Sequence, residues 1–534
     1  MLRGIKKRTP SRRCMQTDNT AEFGKWRSFF WPIHRAELKK FVPMLLMFFL
    51  ISFNYNALRA YKDSMVVTAS NSGAEAIPFI KVWAILPCAI LLTYLFTRLA
   101  NRFSREKVFY IMMSLFLAFF FLFTFALFPA QDSLHPNALA DKMQALLPDG
   151  FKGFIAIFRN WTFTLFYVMS ELWGTAILSV LWWGFANEVT NVGEAKRYYG
   201  LLMIGANIAG ILSGQAAIYF SGDIFLPWLP YGKNAWEQSV LFLNCAIITG
   251  GILTIAVFRW LNTHVIRPSE NAISHLGKPE KVKMSMRKNF AYLAKSKYLI
   301  CIALIVLTYN IAMNLIEVVW KNQIKQLYPN PNEYNVYMGE VMTLMGIIAT
   351  ITAIFITGNV IRRFSWSTSA MIPPAITLLT GVGFFAFALL QNTGLTWMAA
   401  LIGSSPLVLS VMLGSLQNCL SRASKYTLFD ATKEISFIPL SNESKLKGKA
   451  AIDGVGSRLG KSGGSVIHQG LLLIFSTVAA STPYVAAIFL VVVLVWVLAV
   501  SSLGKQFDEL VAENEKLDIP DAPSRKPVLA KEGI

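Results

Sequence analysis

Apolar residues in this chain arrive in blocks of about 20, the length a helix needs to cross a hydrocarbon bilayer. Twelve blocks are legible, near 41–60, 79–98, 108–130, 162–186, 200–220, 238–258, 298–320, 338–360, 369–390, 396–417, 450–476 and 484–503. Charged residues make up only 15% of the chain and hydrophobic ones 54%, against about 25% charge in a soluble domain. This pattern excludes a soluble enzyme, a disordered scaffold and a β-barrel, whose strands would be short and alternating. The first block begins some 40 residues in and is too long for the core of a cleavable signal.

The net charge of +20 would suggest nucleic acid on a soluble protein. Here it is read as topology, because cytoplasmic loops collect Lys and Arg. With the N-terminus placed in the cytoplasm, 39 of the 50 Lys and Arg fall in cytoplasmic segments. Eight fall in outer loops (Lys62, Lys81, Lys142, Lys152, Arg159, Lys233, Lys321, Lys325), and Arg59, Arg458 and Lys461 fall inside helices. The asymmetry favours an even number of spans with both termini inside and leaves no role for nucleic acid.

The basic segment 259–297 divides the blocks into two sets of six. Tyr55-Asn56 recurs as Tyr309-Asn310, and the same offset sets Asp63 against Glu317. Gly210 and Gly214 fall on Gly460 and Gly464, and Glu194 and Lys196 fall near Glu443 and Lys445. The expectation is an all-α membrane protein of twelve transmembrane helices in two related six-helix bundles. That is a major-facilitator-like plan with its site between the halves. The expected organisation is a basic cytoplasmic tail (1–40), a first bundle (41–260), a cytoplasmic linker (261–297), a second bundle (298–504) and a cytoplasmic tail (505–534).

Charges inside such helices are costly and need a reason. Arg59, Lys62 and Asp63 share one face of the first helix. Glu171 sits early in the fourth. Asn310, Asn314, Glu317 and Lys321 recur every three or four residues as a polar stripe on the seventh, which should face protein or water. The eleventh reads Asp453-Gly-Val-Gly-Ser-Arg458-Leu-Gly-Lys461-Ser-Gly-Gly-Ser. A phosphate loop would need Gly where Val455 stands, and a dinucleotide fold would need Gly at 459, where Leu stands. What remains is a small-residue helix carrying Arg458 and Lys461 toward a polyanion. Competing readings are interfacial snorkelling for Arg59 and Lys62 and internal ion pairs for Glu317.

The inward cations Arg59, Lys62, Arg458 and Lys461 are matched in number by Asp63, Glu171, Glu317 and Asp453. An arriving anion would therefore have to displace carboxylates, which is a way to couple binding to helix movement. Guanidinium groups suit phosphates by bidentate geometry. Tyr55, Tyr61, Trp173 and Trp183 offer faces for a base, although aromatics are 13% of the chain and most serve the core. The five His are scattered, and no nucleophile, paired-carboxylate or metal set is visible, so no enzyme activity, cofactor or metal is expected. The five Cys imply no disulfide framework.

These motifs resemble the nucleotide transporter, or ATP/ADP translocase, family of obligate intracellular bacteria and plastids, most of all its chlamydial members. The resemblance runs over roughly 25–505. It rests on Phe23-Gly-Lys25 to Trp31-Pro-Ile-His34, Leu58-Arg59 to Thr68, Gly73-Ala-Glu-Ala-Ile-Pro78, Ser170-Glu-Leu-Trp-Gly174, Trp183-Gly-Phe-Ala-Asn187, Asn314-Leu-Ile-Glu317 and Leu459-Gly-Lys-Ser-Gly-Gly464. It implies functionally sensitive charges at Lys62, Glu171, Glu317 and Lys461. It also implies ATP, ADP or other nucleoside triphosphates as substrates, moved by alternating access. The family holds both exchangers and proton-driven importers.

Exchangers usually read Leu-Arg-Asp-Thr-Lys-Asp, and this chain has Ala60 and Tyr61 in the middle positions. The candidate substrate contacts are thus Arg59, Lys62, Glu171, Asn310, Asn314, Glu317, Arg458 and Lys461. The coupling candidates are Asp63, Glu171, Glu317 and Asp453, with protons as the second partner. Each charge crossing the membrane is worth about 2.3 kcal/mol per 100 mV, so unaccompanied import of a nucleoside triphosphate against an inside-negative potential is expensive. The rival readings are a carrier for another phosphorylated or organic anion and, more distantly, a membrane-embedded enzyme. The sequence is compatible with a monomer and leaves oligomeric state, base selectivity and coupling mode open.

Overall fold

The computed structural model describes Arg27 and residues 31–222, 224–266, 296–355, 364–390, 396–401, 403–440, 452 and 457–517. Among them every regular element is helical. A run of polar-poor sequence in lipid has few alternatives, since only a helix satisfies all its backbone groups within one segment. The long helices are α1 (Leu38–Val67), α2 (Ala76–Arg102), α3 (Arg105–Leu127), α4 (Trp161–Val189), α5 (Val192–Phe220) and α6 (Ala235–Leu261). Beyond the basic segment come α7 (Lys297–Leu327), α8 (Pro331–Phe355), α9 (Trp366–Leu390), α10 (Pro406–Ser424), α11 (Ser457–Phe475) and α12 (Val478–Leu517).

Among the described residues ten helices are long and apolar enough to cross a membrane, so the chain is a multi-pass membrane protein. The two that fall short, α10 and α11, are polar for visible reasons. Within α10, Ser410, Ser415, Gln417, Asn418 and Ser421 are all buried, and α11 carries Lys461, Ser465, His468 and Gln469.

The sequence placed the tenth block at 396–417, and the structure breaks it. A short helix, Thr396–Leu401, stops before Gly403, whose φ of 66° lies in the left-handed region that glycine adopts without cost. Ser405 then caps α10 by accepting from the Val408 N–H, with Pro406 in the first turn. The helix runs on through a π-helical segment, Lys425–Phe429, to Asp430–Ser436. Arg422 and Lys425, assigned from sequence to a cytoplasmic loop, are therefore helical. Lys62, Lys81 and Lys321, assigned to outer loops, also lie within helices.

The repeat seen in sequence recurs as contacts. Asn56 donates to the Ser52 carbonyl and Asn310 to the Val306 carbonyl, each one turn back. A Cβ on Gly210 would lie 3.5 Å from Asn56, and one on Gly460 would lie 2.7 Å from Asn310. The same glycine thus meets the same asparagine in each half, α5 on α1 and α11 on α7, as small residues permit.

The two halves are tied at the end that carries the 68–75 and 221–234 connections. Gly214 of α5 packs so closely on α8 that an added Cβ would sit 2.5 Å from the Gly339 carbonyl. Ser64 donates to the Asn335 side chain (2.9 Å), which donates to Ser221 (2.7 Å). Gln469 of α11 donates to the Pro78 carbonyl (2.8 Å) and accepts from Trp83 (3.2 Å).

Candidate functional site

Between the halves lies a cavity of about 260 Å³ lined by α1, α2, α4, α7, α10 and α11. From the charge set predicted on sequence, Arg59, Lys62, Glu171, Asn310, Asn314, Glu317 and Lys461 all line it. Asp453 and the side chain of Arg458 lie outside the described residues. Lys81, Arg422, Lys425 and Tyr426 also line the cavity, and the sequence reading missed all four. The available signal was periodicity. Arg422 and Lys425 are three residues apart on one helical face, but the tenth block was ended too early to include them.

Three π-helical segments supply cavity residues: Ile80–Ile85 holds Lys81, Gly174–Trp182 holds Thr175, and Lys425–Phe429 holds Lys425 and Tyr426. Such widened turns recur at functional sites because they re-aim side chains out of the regular helical register.

The charges form two linked clusters. Lys62 is 3.2 Å from Glu171 and 3.4 Å from Asp63, and its ammonium sits 3.7 Å above the Tyr167 ring. Lys321, 1% exposed, bridges Asp63 (2.8 Å) and Glu317 (3.0 Å). Glu317 also receives Lys81 at 3.2 Å and Arg422 at 3.6 Å. Two of these pairs, Asp63–Lys321 and Lys81–Glu317, join the first half of the chain to the second. Lys425 pairs with Asp430 at 3.0 Å. Arg59 and Lys461 have neither an ion pair nor a side-chain hydrogen bond among the described residues.

The balance therefore differs from the sequence inventory. Among the described residues, which leave out Asp453 and the side chain of Arg458, seven cations (Arg59, Lys62, Lys81, Lys321, Arg422, Lys425, Lys461) face four carboxylates (Asp63, Glu171, Glu317, Asp430), an excess of three. Such a balance suits an anion with several charges.

Asn314 borders the cavity but spends its amide on packing. It donates to the Lys461 carbonyl at 3.2 Å and accepts from Ser465, and Gly464 packs on its Cβ. It holds α11 against α7 and thereby sets where Lys461 stands. Ala60 and Tyr61, the departure from the exchanger pattern, are both 1% exposed. Tyr61 packs edge-on against Phe166 and lies 5.7 Å from Trp236. The departure thus lies on the packing face of α1, while Arg59 and Lys62 keep the cavity face.

Fold and cavity together define a membrane carrier with a central, anion-adapted site. The fold is similar to that of a D-xylose-proton symporter (TM-score 0.52, 13% identity, covering 87% of this chain and 97% of that one). It is also similar to a bacterial homologue of the iron transporter ferroportin in an inward-facing state (TM-score 0.51, 15% identity, 90% and 99%). At these identities the likeness speaks to fold alone, which is major-facilitator-like. The chain belongs to the TLC ATP/ADP transporter family, which it matches over residues 16–507. It is 46% identical over 501 residues to ADP,ATP carrier protein 1 of Chlamydia trachomatis, covering 93% of this chain and 94% of that protein. It is 45% identical to ADP,ATP carrier protein 1 of Chlamydia pneumoniae (94% and 98%) and 43% identical to the chloroplastic ADP,ATP carrier protein 1 of Arabidopsis thaliana (90% and 76%).

Proposed function

We propose that this protein imports ATP by exchange for ADP, moving each through the central cavity by alternating access. The cation excess carries the reading, with Arg59 and Lys461 making no ion pair among the described residues, beside carboxylates that already have partners. Phosphates bind Lys461 and Arg59 first. They then compete with Glu171 for Lys62 and with Glu317 for Lys81 and Arg422. Because Lys81–Glu317 and Asp63–Lys321 cross between the halves, that competition weakens the tie at one end of the molecule, and substrate binding favours reopening there. Asp63, Glu171 and Glu317 each face a cation already, which supports exchange over proton-coupled uptake as the working mode. Asn310 is a contact for base or ribose, and Asn314 acts by holding α11.

The same reading assigns twelve spans in two six-helix bundles, 41–260 and 298–504, joined by the basic linker 261–297. α10 and α11 are the two polar spans because they line the site. The tails 1–40 and 505–534 are cytoplasmic, the membrane is a bacterial inner membrane, and the cavity is the inward-facing one.

The test is uptake of radiolabelled ATP into proteoliposomes, with and without internal ADP and with and without a proton gradient. Dependence on internal ADP supports exchange. Uptake driven by the gradient from empty vesicles reassigns the carboxylates to proton coupling. Failure of unlabelled ATP to compete with another phosphorylated anion that is transported makes the protein a carrier for that anion.

A further inference from the structure

Four aromatics were candidates to hold a base, and the structure separates them. Tyr61 is packed against Phe166. Trp173 is fully buried beside Phe116. Trp183 packs among Phe48, Trp182 and Tyr199 and is not in the cavity wall. Tyr55 alone among the four lines the cavity. Its ring is only half-buried, and its hydroxyl has no partner among the described residues. From the second half, in the π-helical segment that continues α10, Tyr426 also lines the cavity and is 42% exposed, with the Lys425 ammonium 4.7 Å from its ring. Of the other tyrosines in the wall, Tyr167 lies under Lys62 and Tyr309 is buried against Phe429 and Trp496.

Position along the helices separates these rings from the charges. Tyr55 precedes Lys62 by seven residues on α1, about 10 Å of axial rise. On α10, Tyr426 likewise lies beyond Arg422, on the side away from the tied end of the molecule. The pairs that Lys62, Lys81 and Arg422 make with Glu171 and Glu317 therefore form one tier of the cavity and the two accessible rings another, with Lys425 and its partner Asp430 beside Tyr426.

Resting on the nucleotide-exchange reading above, we infer that Tyr55 and Tyr426, one from each half, clamp the base of the bound nucleotide, with its phosphates directed toward the Lys62–Lys81–Arg422 tier. Gly174 is the positioning residue for this clamp. A Cβ there would lie 2.6 Å from Cε2 and 3.0 Å from Cδ2 of Tyr55, so only glycine lets α4 back the ring in its present place. Stacking tolerates any base, because each has a π face, and one wall comes from each half. The nucleotide thus bridges the halves at its base as well as at its phosphates.

The experiment measures ATP KM and inhibition by tripolyphosphate, which has phosphates but no base, in proteoliposomes holding ADP. Tyr55→Leu is expected to raise the ATP KM roughly 5- to 150-fold, the range for loss of one stacked base. Tripolyphosphate inhibition should stay unchanged, and Tyr55→Phe should recover most of the loss. Tyr426→Leu and Gly174→Ala should act in the same direction, and they carry the test if Tyr55→Leu does not insert. Lys461→Gln is expected to weaken ATP and tripolyphosphate together. An unchanged ATP KM in the ring variants, parallel loss of tripolyphosphate inhibition, or a wild type that tripolyphosphate does not inhibit overturns the clamp. A wild type that moves no nucleotide overturns the exchange reading instead.

Discussion

Glu317→Gln isolates the competition on which the exchange mechanism depends. In the unloaded cavity this one carboxylate faces Lys321 at 3.0 Å, Lys81 at 3.2 Å and Arg422 at 3.6 Å. Lys321 keeps Asp63 at 2.8 Å when Glu317 is neutralised, so the cations set free are Lys81 and Arg422. At an effective dielectric of about 20, a pair near 3.2 Å attracts by about 5 kcal/mol, and breaking a fully buried pair costs about 3–5 kcal/mol net. Glu317 is not fully buried, with 18% of its side chain exposed, and glutamine keeps a hydrogen-bonding oxygen. The net cost of removing its charge is therefore about 1–2 kcal/mol, which corresponds to about tenfold in an equilibrium constant. That free energy no longer opposes phosphate binding, so ADP should bind the variant about tenfold more tightly. Exchange should fall at least tenfold, because product leaves more slowly and one cross-half tie is gone. Equilibrium binding to purified carrier, set beside counterflow of labelled ADP, separates the two effects. If binding and exchange fall together, Glu317 is a direct substrate contact and the competition argument is wrong.

Lys461→Glu places a carboxylate where a cavity-lining cation stands and should abolish uptake with membrane insertion intact, as read by uptake and by the quantity of protein in purified membranes. Gly214→Val drives side-chain atoms into the Gly339 carbonyl and Thr343, so it should loosen the tied end, read as faster labelling of a cysteine placed at Ser72 in a cysteine-free background. Asn314→Leu should shift α11 and raise the KM for ATP and tripolyphosphate alike, since it acts through Lys461 rather than on the base. Arg59→Gln should raise the release of labelled ADP into nucleotide-free medium relative to exchange.

Helices were legible from the length of the apolar blocks alone, since a span of lipid leaves the backbone few options. The charges in α1, α4, α7 and α11 were legible for the same reason, because each was costly enough to require an explanation. Lys81, Arg422 and Lys425 were not, because each sits near a block end where a lysine or arginine reads as a loop residue. Lys81 lies in a π-helical turn, and Arg422 and Lys425 lie on a helix whose buried serines and amides mask its span. Spacing placed Asn314 on the right face, yet its amide binds the neighbouring helix, a distinction that needs coordinates. The repeat of Asn56 and Gly210 as Asn310 and Gly460 was visible as an offset; that each pair is a contact was not.

The charge excess also bears on why such a carrier would exchange rather than leak. Passing between its two open states requires a moment when the cavity is closed at both ends and its water is largely lost. Sealing an uncompensated cation in a membrane interior costs roughly 2.5–3.5 kcal/mol on insertion scales, so three would cost roughly 8–10 kcal/mol, an upper value where some water remains. A nucleoside diphosphate, with about three negative charges, brings the sealed cavity close to neutral, and a triphosphate leaves about one negative charge over, worth about 2.3 kcal/mol per 100 mV if it crosses with the substrate. On the exchange reading, the empty carrier has no such relief and should stay open on one side until a nucleotide arrives, so that obligatory exchange would need no separate latch. Arg59 and Lys461, which make no ion pair among the described residues, would carry most of that restraint, because each of the other five cations already has a carboxylate beside it.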